Sequence, residues 1–181
     1  MDDRRARFET QVLPHLDAAY RFARWLSAAP ADADDVVQEA VLRAYRAFDA
    51  LRGSDVKAWL MAIVRNCHST ALKQRQRRGF VPLPEEDDAQ DSHAMTATTP
   101  NPEEDTIRRD ERRTLDRLIA ALPEEHRTVL MLREIEEMDY RQIAQVTNVP
   151  IGTVMSRLAR SRAALKAQWL QEAGGQPHAV R

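Results

Sequence analysis

Residues 139–170 read DYRQIAQVTNVPIGTVMSRLARSRAALKAQWL, two helices joined by a tight corner. Asp139 followed three residues later by Gln142 has the spacing of a capping box, in which two otherwise unpaired backbone N–H groups are satisfied reciprocally. Ile143, Ala144 and Val146 give this first helix an apolar side. Thr147-Asn148 stops it, because Asn tolerates the left-handed conformation a helix end often needs. Val149-Pro150 then turns the chain, since Pro cannot continue a helix but suits the first turn of the next. In the second helix Val154, Leu158 and Leu165 fall on one face, while Ser156, Arg157, Arg160 and Lys166 fall mostly on the others. A short helix, a corner and a helix with small polar and Arg side chains outward is the geometry that enters a DNA major groove. A helical hairpin with a merely solvated basic face has the same local pattern, so this stretch alone leaves both readings open.

The charge distribution narrows the choice. The formal net charge over 181 residues is −1, which argues against a uniformly basic nucleic-acid binder. The charge is segregated instead. Residues 65–78 carry Arg65, Lys73, Arg75, Arg77 and Arg78 and no acid, and residues 151–170 carry Arg157, Arg160, Arg162 and Lys166 and no acid. Residues 79–110 between them hold nine acids against two Arg, so an acidic connector separates two basic patches. Cys67, the one cysteine, excludes an internal disulfide and suits a reducing cytosol. Cys67-His68 is adjacent rather than at ligand spacing, so neither a metal nor a cofactor is expected. No apolar run reaches the roughly 20 residues of a membrane span, and the N-terminus has no apolar signal core. A cytoplasmic protein is expected.

Periodicity is helical throughout, and no strand pattern appears. Residues 4–28 keep helical spacing through Phe8, Val12, Leu16, Ala19, Tyr20, Ala23 and Leu26, with a kink or late start expected at Pro14. Asp32 or Asp34 can cap the next helix, about 33–51. There Val37, Ala40, Val41, Ala44, Tyr45, Phe48 and Leu51 form the expected core stripe. Asp35, Gln38, Glu39 and Leu42 line a second, largely polar stripe. Acids near a helix N-terminus are favoured by the helix dipole in any protein; the same stripe, with one Leu, also suits docking to a basic partner helix. Ser54 or Asp55 caps a third helix running to about Gln76, whose basic end is either plain dipole compensation or a grip on phosphates. Residues 79–105 lose all periodicity and read as a flexible acidic linker, a boundary between two domains. Helices resume near Glu103–Leu122 and after Pro123. Residues 171–181 are expected to be a disordered tail. The expected fold is all-α: an N-terminal bundle (1–78), the linker (79–105) and a helix-turn-helix domain (106–170).

Four stretches together resemble the extracytoplasmic-function sigma factors of bacterial RNA polymerase: DADDVVQEAVLRAYR (32–46), AWLMAIVRN (58–66), LPEEHRTVLMLREIEEMDYRQIA (122–144) and VPIGTVMSRLARSRAAL (149–165). The resemblance spans about residues 8–170 and implies roles. Asp35, Gln38, Glu39 and Leu42 would anchor core polymerase. Arg52, Gly53, Ser54 and Asp55, in a loop holding a flipped non-template base, would read the −10 element with Asn66, Lys73, Arg75 and Arg77. Met61 and Ala62 depart from the aromatic and basic residues often found there, so fewer side chains are available for strand contact. Arg141, Thr153, Met155, Ser156, Arg157, Arg160 and Arg162 would meet the −35 element; Met155 stands where a basic residue is common, so one phosphate contact is expected to be missing. The implied partners are core RNA polymerase, promoter DNA and an anti-sigma factor. With five scattered His and no Ser/His/Asp, Cys/His or Gly-rich phosphate motif, no enzymatic role is expected. The competing reading is a free-standing helix-turn-helix regulator with residues 1–78 as sensor or dimerisation module.

Overall fold

The computed structural model describes residues 2–27, 29–51, 55–77 and 102–175. The described residues form eight α-helices: α1 Asp2–Val12, α2 Leu16–Leu26, α3 Pro30–Ala47, α4 Val56–Arg77, α5 Pro102–Ala120, α6 Glu124–Glu134, α7 Tyr140–Thr147 and α8 Ile151–Gly175. Pro14 does break the first pattern: a 3-10 turn, Leu13–His15, separates α1 from α2.

The N-terminal bundle packs α2, α3 and α4 together. Helix α2 contributes Phe22 and Leu26, and α4 contributes Leu60, Met61 and Val64, all buried. The buried side of α3 is Ala33, Val36, Ala40 and Ala44, rotated from the expected stripe; Val37 and Val41 are half-buried and Tyr45 is exposed. Three small Ala side chains let α3 approach both neighbours closely, and the larger Val residues sit at the margins. Tyr45 closes the bundle's end instead. Its ring packs edge-on against Phe8 at 5.1 Å, and the Arg4 guanidinium lies 4.7 Å from its centroid.

In the C-terminal half, α6 buries Val129, Leu130, Met131 and Leu132 against Ile143 and Val146 of α7 and Val154 and Leu158 of α8. The corner at 139–151 forms as its residues dictate. Asp139 Oδ1 accepts from the backbone N–H groups of Arg141 and Gln142, each at 2.8 Å, and Gln142 Oε1 accepts from Asp139 N at 2.7 Å. Asn148 ends α7 in the left-handed region at φ 53°, and the Pro150 carbonyl accepts from Thr153 and Val154 to begin α8.

Three boundary expectations are corrected. Helix α3 is capped at Ala29 with Pro30 in its first turn, because Asp32 is engaged elsewhere: its carboxylate holds Arg75 of α4. Helix α5 begins at Pro102, inside the stretch read as linker to 105; Pro at a helix start lacks only an N–H that would be unpaired there anyway. Helix α8 continues to Gly175, past the expected end at 170. Residues 78–101, read as linker apart from Arg78, and 176–181, read as tail, lie outside the described residues.

The two halves pack against each other. Helix α7 lies along α4 and α6 along α2, and the buried apolar side chains of both halves form one contiguous cluster from Phe8 to Leu158. The arginine-bearing face of α8 is outside this cluster.

Candidate nucleic-acid interface

Pinned by Pro150 and the capping box, α8 turns Val154 and Leu158 inward and Gly152, Met155, Ser156 and Arg160 outward. A Cβ added at Gly152 would meet nothing within 4 Å, so this end of the helix is open to a groove. Arg141 of α7 and Arg162 of α8 are exposed, and Thr153 is half-buried. The cations differ in their freedom. Arg157 is ion-paired with Glu125 of α6 and its side chain is only 17% exposed. Arg162 is held by Glu134 at 2.6 Å. No ion pair engages Arg160 among the described residues. Sequence spacing grouped the three; only the fold separates them.

The second basic surface is on α4. Asn66, Lys73 and Arg77 are exposed and recur at i, i+7 and i+11, one face of the helix. Trp59 begins the same face and is half-buried, consistent with a role in the core. Arg75 is not with them: it grips Asp32, and this ion pair holds the Asp32 carboxyl below the usual carboxylate range. Arg52, Gly53 and Ser54 lie outside the described residues. Asp55 is placed, and its Oδ1 accepts from Ala58 N at 2.9 Å, capping α4.

A third surface lies on α3. Asp35, Gln38 and Leu42 are exposed, Leu42 at 52%, with Glu39 half-exposed beside them. Glu39 accepts from Arg43 at 2.6 Å, which fixes one carboxylate along the ledge. Leu42 is a large apolar side chain left in water amid polar neighbours.

The remaining polar chemistry is structural. Cys67 is buried and desolvation pushes its thiol pKa up, which disfavours the reactive thiolate. His68 is buried on α4 with Nδ1 3.6 Å from Glu124; desolvation pushes its pKa down, with Glu124 opposing. No group of three or more His, Cys, Asp or Glu that could hold a metal occurs among the described residues, and no described helix is long and apolar enough to cross a membrane.

Among the described residues, a helix-turn-helix, a second basic helix face and an acidic ledge are joined in an all-helical fold, an arrangement suited to reading DNA while docked on a larger partner. Residues 12–78 match sigma-70 region 2, and residues 112–165 match sigma-70 region 4. The chain is 36% identical over 138 residues to the ECF RNA polymerase sigma-E factor of Escherichia coli (strain K12), covering 74% of this chain and 72% of that one. It is 34% identical over 157 residues to the ECF RNA polymerase sigma factor SigE of Mycolicibacterium smegmatis, covering 86% and 58%. Among solved structures, the fold is similar to the sigma factor RpoE of Bartonella quintana, solved in complex with the anti-sigma factor NepR. The TM-score is 0.73 and the identity 24%, over 90% of this chain and 96% of that one. It is also similar to CnrH, solved with the cytosolic domain of CnrY, at a TM-score of 0.62 and 23% identity over 92% and 88%. The chain belongs to the extracytoplasmic-function (ECF) sigma factors of the sigma-70 family. It therefore binds core RNA polymerase and directs promoter-specific initiation, and residues 12–78 are a sigma region rather than the sensor of a free-standing regulator.

Proposed function

We propose that the three surfaces divide the work of initiation. The ledge of Asp35, Gln38, Glu39 and Leu42 docks on a basic helical element of core polymerase. Its exposed Leu42 and exposed Asp35 support that role, since a partner helix would cover the one and pair with the other. The face of Asn66, Lys73 and Arg77 on α4, with Asp55 at the start of that helix, takes the non-template strand of the −10 element. Arg75 works from behind that face, joining α4 to α3 through Asp32. The outward face of α8, with Arg141 of α7, enters the major groove at the −35 element. There Arg160 contacts base or phosphate directly, and Arg157 and Arg162 do so by exchanging a glutamate for DNA.

The observation that carries this reading is the covalent union of an outward arginine-bearing recognition helix with an acidic docking ledge in one chain. The chain itself performs no catalysis: polymerase makes the RNA, and this protein supplies location and strand opening. It works in the cytoplasm, where the polymerase is, and an anti-sigma factor holds it inactive until a signal arrives. Run-off transcription tests the division of labour. Core enzyme plus this chain should initiate at discrete sites in a genomic library, and those start sites should share two elements upstream. Initiation indistinguishable from core enzyme alone would defeat it.

A further inference from the structure

The seam between the two halves contains a carboxylate almost cut off from solvent. Glu136 lies in the turn between α6 and α7, and its side chain is 1% exposed. It is clasped from the opposite half: Arg21 Nε and Nη2 reach its two oxygens at 3.1 and 3.2 Å, and Lys57 Nζ lies 3.0 Å from Oε2. Lys57 also donates to the Glu136 carbonyl at 2.8 Å. Beside this cluster Gln142 Nε2 donates to Asp55 Oδ2 at 2.7 Å. Gln142 and Asp55 are the capping residues of α7 and α4, so each half's helix cap is tied to the other's.

This arrangement conflicts with the task proposed above, on which the inference rests. Elements at −35 and −10 are about 25 base pairs apart, or about 85 Å of duplex at about 3.4 Å per pair. Two halves joined by hydrogen bonds under 3.3 Å cannot read both. The seam must part, and beside its shared apolar core it carries this charged cluster. A buried carboxylate with two cationic partners is stable while shut, and once open all three groups are satisfied by water. That makes the junction reversible where a wholly apolar one would resist opening.

We propose that Glu136 with Arg21 and Lys57, supported by Gln142 on Asp55, is a latch that keeps the free chain closed until core polymerase parts it. The consequence is reciprocal: whatever opens the latch improves polymerase binding, and polymerase binding opens the latch. Because Asp55 is also assigned to the −10 element, closure holds that residue on the C-terminal half.

Small-angle scattering of the full chain, paired with titration against core polymerase, tests this. The wild-type chain should scatter as one compact particle. Arg21→Met/Lys57→Met, which strips the clasp from the N-terminal side, should give a larger radius of gyration with undiminished helical circular dichroism. The same double variant should bind core polymerase at least five-fold more tightly, since the cost of opening is no longer drawn from binding. Glu136→Gln reaches the seam from the other side and should give the same two changes. An extended wild-type particle, variants as compact as wild type, or opening without tighter core binding would each overturn the latch. Failure of wild-type chain and core enzyme to initiate would instead count against the sigma reading and leave the scattering result standing.

Discussion

The arginines of α8 offer the sharpest test, because the structure ranks residues that their spacing alone makes equivalent. Arg160 is exposed with no ion-pair partner among the described residues, so Arg160→Ala should remove the proposed DNA contact without breaking an ion pair. If that contact is bidentate to guanine, the loss is about 1–3 kcal/mol, or about 5- to 150-fold in affinity for the −35 element. Arg157 is different. Its guanidinium is already paired with Glu125, whose side chain is 65% exposed. To meet DNA it must leave that carboxylate, and a half-exposed pair is worth about 0.2–1 kcal/mol. The net loss for Arg157→Ala should therefore be smaller than for Arg160→Ala by that amount. Glu125→Gln should have the opposite sign: with Arg157 released and one negative charge gone from beside the phosphates, affinity should rise about two- to five-fold. Holoenzyme binding to a promoter duplex, followed by fluorescence anisotropy across a salt series, measures all three. Each Arg that holds a phosphate should also reduce the slope of log affinity against log salt by about 0.9. Equal losses for the two Arg variants with unchanged slopes, or weaker binding by Glu125→Gln, would refute the assignment of this face to DNA.

Three other outcomes are expected. Asp35→Arg/Glu39→Arg should abolish core binding while leaving helical circular dichroism and the melting temperature close to wild type, since both residues are outside the core; normal transcription by this variant would remove the ledge from the docking surface. Asp139→Ala takes away two accepted backbone hydrogen bonds and a favourable charge at the start of an eight-residue helix. It should cost about 1–2 kcal/mol in urea denaturation, and loss of −35 binding should follow from the loosened corner. The third concerns acid. Arg75 depresses the folded-state pKa of Asp32, so this pair stabilises the protein above the unfolded carboxyl's pKa, near 4. That contribution is lost as pH falls through the depressed value. Arg75→Ala should consequently lower stability at pH 7 and make little difference once Asp32 is protonated in both proteins; a deficit that persists unchanged into strong acid would point to lost packing by the Arg75 stem instead.

What the sequence determined by itself is what three- and four-residue spacing can encode. The Asp139–Gln142 box, the left-handed Asn148, the break at Pro14 and the Asp55 cap depend on neighbours in the chain, and each forms as its residue types require. The exposed positions of Asp35, Gln38 and Leu42 follow from the same periodicity. Tertiary structure decided the partners. Asp32 gave up a capping role for an Arg 43 positions away, and Arg157 was taken by a glutamate 32 positions back. Glu136, one acid among several at a helix end, became a buried charge because Arg21 lies 115 residues earlier and Lys57 lies 79 earlier. Ion pairs over such separations depend on which helix faces meet, and that follows from how the apolar surfaces of both halves fit together. A linear pattern shows which side chains carry charge; only packing shows which of those charges remain available to polymerase and DNA.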